Sequence, residues 1–350
     1  MMYIIIIVAY LVILFIVENG TKPKTQRGIL MLFCFALTII IGLRTGWPDE
    51  AVYIAAFNQV PTIFDFSFSE NPFGYDERGY YFLASIVKTV TTNSVVYLTV
   101  MGGLSMYLLY RSLEKYCLVP LIGFCDYAAR FLLNRDFIQI RSSLAILLIV
   151  LGVKYIYERN AVKFFLIVAL AYSFHHMALL AVPMYFLNMI KIRKQHIVVG
   201  LILAMIVSQI LAPFISGFVE EWSADLQYTT YVQGNYVSEA LGLRNPMIYF
   251  QMAILLWFTF AEESLKKYKY YYLFRTGYFY STIILIVFCN YTALSGRTST
   301  LFATLEMFII PMIAFSWRRR FRVVYYLVVG LVLSYFFMLK YSEAMSIMGM

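Results

Sequence analysis

Two arginines and an acid stand between two long apolar runs in Asn134-Arg135-Asp136-Phe137-Ile138-Gln139-Ile140-Arg141-Ser142-Ser143. Arginine is costly near hydrocarbon and disfavoured on the outer side of a membrane, where charge counting (below) puts this stretch, so Arg135 and Arg141 need a reason to be there. A substrate carrying negative charge supplies one. Arg44, His175 and Arg297 occupy similar sites at the edges or breaks of apolar runs. Guanidinium groups make planar two-point contacts with phosphate oxygens, and an imidazole can exchange a proton near neutral pH. The set suits an anionic, diphosphate-linked donor gripped outside the cytoplasm. Asp49, Glu50, Asp76 and Glu77 are the right donors for a hard cation, but the arginines already bring the positive charge a metal would supply. Neither a metal nor any other cofactor is expected.

The elements that must position these residues are membrane helices. Hydrophobic residues make up 62% of the 350-residue chain and charged residues only 13%, with a mean hydropathy of +0.75, which leaves too few polar side chains to cover a soluble domain. The net charge of +9 lies in short clusters between apolar runs, where it sets topology and does not indicate nucleic acid. Cys34, Cys117, Cys125 and Cys289 lie within apolar segments without metal-ligand spacing and read as packing residues. Met1 to Val17 has no basic leader region and no small-residue cleavage site, so it reads as a first, retained span.

Apolar patterning predicts an all-α polytopic membrane protein with about twelve transmembrane or re-entrant segments, at 3–17, 28–43, 94–110, 117–133, 138–157, 162–174, 177–190, 197–218, 246–261, 272–293, 299–316 and 323–340. If Lys22, Lys24 and Arg27 are cytoplasmic, nineteen of the 28 Lys and Arg residues collect at cytoplasmic ends. Basic flanks at Arg159 and Lys163 and at Lys191, Arg193 and Lys194 make 159–194 a re-entrant hairpin, broken at Ser173-Phe174-His175-His176 and too short in each arm to cross. Tyr80 to Val90 is expected to be an interfacial helix. Two segments, 44–93 and 219–245, are left outside, within a single integral domain spanning 1–350. The first mixes rings such as Trp47, Phe64, Phe68 and Tyr75 with acids such as Asp65, Glu70 and Asp76. That mixture suits sugars, because rings stack on C–H faces and carboxylates accept from hydroxyls. An aromatic belt with solvated acids accounts for it equally.

Leu43-Arg-Thr-Gly-Trp-Pro-Asp49 followed by Tyr53, Ile140-Arg-Ser-Ser-Leu-Ala145, Ala171-Tyr-Ser-Phe-His-His-Met-Ala-Leu179 with Pro183, and Gly296-Arg-Thr298 ahead of Pro311 resemble, in order, the EpsG-like, Wzy-type polysaccharide polymerases. The resemblance covers most of the chain. It implies a multi-helix glycosyltransferase of the GT-C type, with external loops over its active site, that joins oligosaccharide repeat units carried on undecaprenyl diphosphate. Such an enzyme works at the outer face of a bacterial inner membrane, with a flippase and a chain-length regulator as partners. The family's Arg-Gly-Asp-Tyr pattern falls on Arg44, Gly46, Asp49 and Tyr53, its Ile-Arg pattern on Arg141 and its Phe-His pattern on His175. Met177 stands where many relatives carry Ser, and Pro48-Asp49-Glu50 replaces a simpler Gly-Asp run.

In such a transfer the breaking C1–O bond leaves charge on the diphosphate, which Arg141 is expected to stabilise, with Arg135 and Arg297 in support. Plainer readings pair Arg135 with Asp136 and make Arg297 a helix cap. Arg130 reads as structural, paired with Asp126 at i, i+4. His175 could take the acceptor proton or bind diphosphate, or serve as a satisfied structural donor in the helix break. His176 is the weaker candidate, and His196 sits among basic residues. Asp49 is the alternative base, with an Arg44–Asp49 salt bridge as its plain reading. Arg44, Tyr53 and Glu77 complete the expected substrate contacts. The competing functions are an O-antigen ligase, which shares the donor, and a lipid-linked oligosaccharide flippase, for which inverted repeats would be expected.

Overall fold

The computed structural model describes residues 2–18, 23–69, 77–223 and 241–348, and among these there is helix but no strand. The chain is a helical membrane protein. Lys24–Gly42, Ile140–Tyr157 and Arg319–Ser346 are long and apolar enough to cross a membrane. Several shorter apolar helices accompany them. Two compact units are present, one of residues 1–179 and 306–350, the other of residues 180–305.

The first unit holds α1 (Met2–Glu18), α2 (Pro23–Gly42), α3 (Glu50–Gln59), α4 (Arg78–Val90), α5 (Ser94–Tyr116), α6 (Pro120–Tyr127), α7 (Ile140–Tyr157) and α8 (Ala161–Phe174). Local chemistry sets several starts. Asn93 and Asn160 accept from the backbone N–H groups of Val95 (2.8 Å) and Lys163 (3.1 Å) as N-caps, and Pro120 opens α6. The stretch 80–90, expected to be helical, lies in α4, with Tyr80, Tyr81, Ala84 and Val87 buried.

Residues 134–138 do not form a loop between two spans. A π-helix continues α6 over Ala128–Ile138, closing with Gln139 N–H donating to the Asn134 carbonyl at 3.1 Å, and only Gln139 breaks the path into α7. Such i→i+5 turns are rare and collect at functional sites. Their wider turn also rotates side chains out of i, i+4 register, which corrects the expected Asp126–Arg130 pair. Arg130 Nε donates to Glu306 at 2.9 Å, while both carboxylate oxygens of Asp126 are buried without a hydrogen-bond partner. Glu306 begins α15 (Glu306–Ile313), which with α16 (Arg319–Ile347) completes the first unit. A buried ion cut from its partner costs about 3–5 kcal/mol. Arg130→Ala is therefore expected to lower the melting temperature and membrane abundance, measured on purified protein and on membranes; unchanged stability would count against the pair.

The second unit contains α9 (Val182–Leu187), α10 (Lys194–Ser223), α11 (Pro246–Phe260), α12 (Glu262–Leu265), α13 (Tyr271–Val287) and α14 (Thr292–Ala303). α13 is its centre, buried against α14, α10 and α11. Arg275, fully within it, donates to Glu262 at 2.7 Å and to the Ile192 carbonyl at 2.6 Å. Of the expected external segment 219–245, residues 224–240 with Asp225, Tyr228 and Tyr231 lie outside the described residues, as do Glu70 to Asp76 of the first segment.

Candidate functional site

α8 ends at His175, whose extended backbone (φ −161°, ψ 129°) separates it from a 3₁₀ turn over His176–Ala181. The break expected at Ser173-Phe-His-His is thus present. α4 reaches this point because Gly79 has no side chain: a Cβ there would overlap Ser173. Glu77, the residue before α4, is carried to the end of α8, and its Oε1 lies 3.7 Å from His175 Nδ1. Its other oxygen accepts from Arg141 in the first turn of α7. Arg141, Glu77 and His175, at the ends of three separate helices, are therefore brought together, with the Glu77 side chain 7% exposed and those of Arg141 and His175 19% and 21%; His175 Nδ1 also accepts from Met177 N–H at 3.4 Å.

The Arg141 guanidinium also stands over the Tyr53 ring, 5.8 Å from its centre. Tyr53 is buried on α3 with Phe57, Tyr80 and Tyr97. Among the described residues several rings of segment 44–93 pack on other rings: Phe57 stacks on Tyr97 at 4.2 Å, Tyr80 and Tyr97 share a 2.5 Å hydroxyl hydrogen bond, and Phe66, Phe68 and Phe82 cluster. Phe64 is left strongly exposed, and Trp47 is half-buried against Phe137.

Arg44 follows the end of α2 and is 5% exposed, with Nη1 donating to the Ile41 carbonyl at 2.9 Å. Its Nε and Nη2 have no hydrogen-bond partner, so the salt bridge to Asp49 is not formed. Burial pulls the Arg44 pKa below the usual arginine value, opposed by the charge of Glu50. Asp49 is exposed, in the left-handed conformation at φ 61°, whereas Glu50 is buried and accepts from Trp47 N–H at 3.1 Å. The acid built into this loop is Glu50, which sequence reasoning passed over for Asp49.

Arg135 and Asp136 are both buried within the π-helix. Asp136 accepts from Tyr127 at 2.8 Å and Ser143 at 2.6 Å, and Arg135 lies over the Phe131 ring at 4.3 Å. Arg297 belongs to the second unit, in the middle of α14 and not at a helix end, which corrects its reading as a cap. His176 stacks on Tyr172, and His196 Nδ1 accepts from Arg193 N–H at 3.2 Å. Among the described residues no cluster of His, Cys, Asp and Glu could hold a metal ion.

Gly79 gives a direct test of this geometry. Gly79→Ala is expected to push α4 off α8 and reduce activity on the order of 100-fold, the scale of a misplacement of about 1 Å. Adding Ser173→Gly should restore most of it, read as product per folded molecule. No recovery in the double variant would mean that the α4–α8 approach does not set the site.

A protein-family model described as the EpsG family matches residues 28–348 of the chain. No curated protein and no solved structure gives a significant match.

Proposed function

The chain belongs to the EpsG family, and from that premise we propose that it is a polysaccharide polymerase, a GT-C-type glycosyltransferase acting on lipid-diphosphate-linked repeat units. In this reading the donor is the growing glycan on undecaprenyl diphosphate and the acceptor is a sugar hydroxyl of a new lipid-linked unit. The acceptor oxygen attacks C1, the C1–O bond to the diphosphate breaks, and the acceptor proton passes to His175. The bonding pair leaves with undecaprenyl diphosphate, whose charge Arg141 stabilises, with Arg44 and Arg135 adding positive potential. Arg297 and Tyr53 remain proposed substrate contacts. The reaction is placed at the outer face of a bacterial inner membrane, with about twelve transmembrane or re-entrant segments in all.

The observation that carries this reading is the Glu77 bridge between Arg141 and His175. An anion stabiliser and a proton acceptor are needed together, and the bridge fixes them beside each other with each side chain still partly open. His175 is favoured over Asp49 as the base because Asp49 makes no contact with this group.

Reconstitution tests the proposal without a cell. Purified full-length protein, given only lipid-diphosphate-linked repeat units, is expected to yield a ladder of longer lipid-linked glycans on gels. A ligase would leave the units unextended until its own acceptor was added, and a flippase would make no covalent product. Either result would overturn the polymerase reading.

A further inference from the structure

At the opposite end of the first unit from His175, the ends of α1, α2, α5, α6 and α16 enclose a cavity of about 480 Å³. Its walls carry Arg27, Arg319 and Arg322 against Glu18 and Glu114. Glu114 is already engaged, by Arg111 at 2.8 Å and by Arg27 at 3.7 Å. Arg322 lies over the Phe315 ring at 4.3 Å, and its Nε is buried without a hydrogen-bond partner. α2, α6 and α16 all start here, so the positive ends of three helices add to the arginines. Neither α6 nor α16 has a side-chain cap for its first N–H groups. The chamber is thus built for an anion, and its volume falls in the range of small-molecule sites.

What kind of anion follows from the surroundings. A second, apolar cleft of about 190 Å³ is lined by three of those five helices, through Ile6 and Tyr10 of α1, Phe124 and Cys125 of α6, and Leu333 and Phe337 of α16. From Arg322 to Leu333 is eleven residues of one helix, or roughly 16 Å at helical rise, which is close to the length of an acyl chain. A polar chamber at the basic ends of these helices, with an apolar cleft farther along three of them, matches the two-part chemistry of a phospholipid.

We propose that this is a binding site for an anionic phospholipid, with the phosphodiester headgroup held by Arg27, Arg319 and Arg322 and one acyl chain in the α1–α6–α16 cleft. Basic pockets between helices on the cytoplasmic side take such headgroups, and the charge distribution assigns these ends to that side. The site is separate from the polymerase reading and does not depend on it.

The test uses full-length protein in an uncharged detergent, titrated with dioleoyl-phosphatidylglycerol, dioleoyl-phosphatidylcholine or inorganic phosphate, with bound lipid counted by native mass spectrometry. Phosphatidylglycerol is expected to bind at least tenfold more tightly than phosphatidylcholine. Arg27→Gln with Arg322→Gln should remove that preference, and Arg27→Lys with Arg322→Lys should retain most of it. Ala128→Phe, which fills the apolar cleft, should weaken phosphatidylglycerol while leaving the charged chamber intact. Should the Gln variant fail to fold, the wild-type comparison and Ala128→Phe still decide. Equal binding of the two lipids, an unchanged preference in the Gln variant, or full competition by millimolar inorganic phosphate would each overturn the assignment.

Discussion

Arg141→Lys is expected to lose almost as much activity as Arg141→Ala, on the order of 100- to 1,000-fold in rate, the scale of a lost oxyanion donor. One edge of the Arg141 guanidinium is committed to Glu77, and its face rests over Tyr53. The group carries five donors in one fixed plane, so a single side chain can serve a carboxylate and a phosphate together. An ammonium is a point donor. It can pair with Glu77 or reach a phosphate, but it cannot do both along one plane. With membrane levels matched, polymer length is the readout, and Lys340→Ala, which removes only an exposed pair with Glu343, is the control. Full-length polymer from Arg141→Ala would take Arg141 out of the chemistry and shift the role to Arg44 and Arg135.

How far the sequence reaches can be judged element by element. The apolar runs expected to begin at 94 and 162 start their helices within one residue of those positions, and the break at His175 was legible from polar residues inside an apolar run. The π-helix was not, because an i→i+5 turn has no pattern of its own: Arg135 and Asp136 looked like a loop and are buried helix. A lone carboxylate in the run 299–316 did carry a signal. Glu306 needed a cation, and an arginine within another apolar run, such as Arg130, was a candidate. The aromatic segment shows a different limit. Composition cannot separate rings that face a sugar from rings that face each other, and Phe57 on Tyr97 is of the second kind. The sequence put Glu77 among the substrate contacts but could not join it to Arg141 and His175, since that placement comes from the close approach of α4 and α8 at Gly79.

Glu77→Gln is expected to reduce activity on the order of 100-fold while the protein stays folded. The carboxylate is nearly buried, but its partners are not sealed in, so water can reach Arg141 and His175 when the charge is removed. Folding therefore survives, and what is lost is the alignment of an anion stabiliser with a proton acceptor, for which effects of this size are usual. The residue was expected from sequence to touch substrate, and a double-mutant cycle separates that role from positioning. If Glu77 works through Arg141, Glu77→Gln combined with Arg141→Ala will be little worse than Arg141→Ala alone. Multiplying losses would mean an independent contact with sugar or with His175. The kinetic split adds a second criterion in the reconstituted assay: a positioning residue should lower kcat with little change in KM for the lipid-linked unit, because its interaction matters most as charge develops. A rise in KM at constant kcat would return Glu77 to substrate binding and leave Arg141 to be oriented by Tyr53 alone.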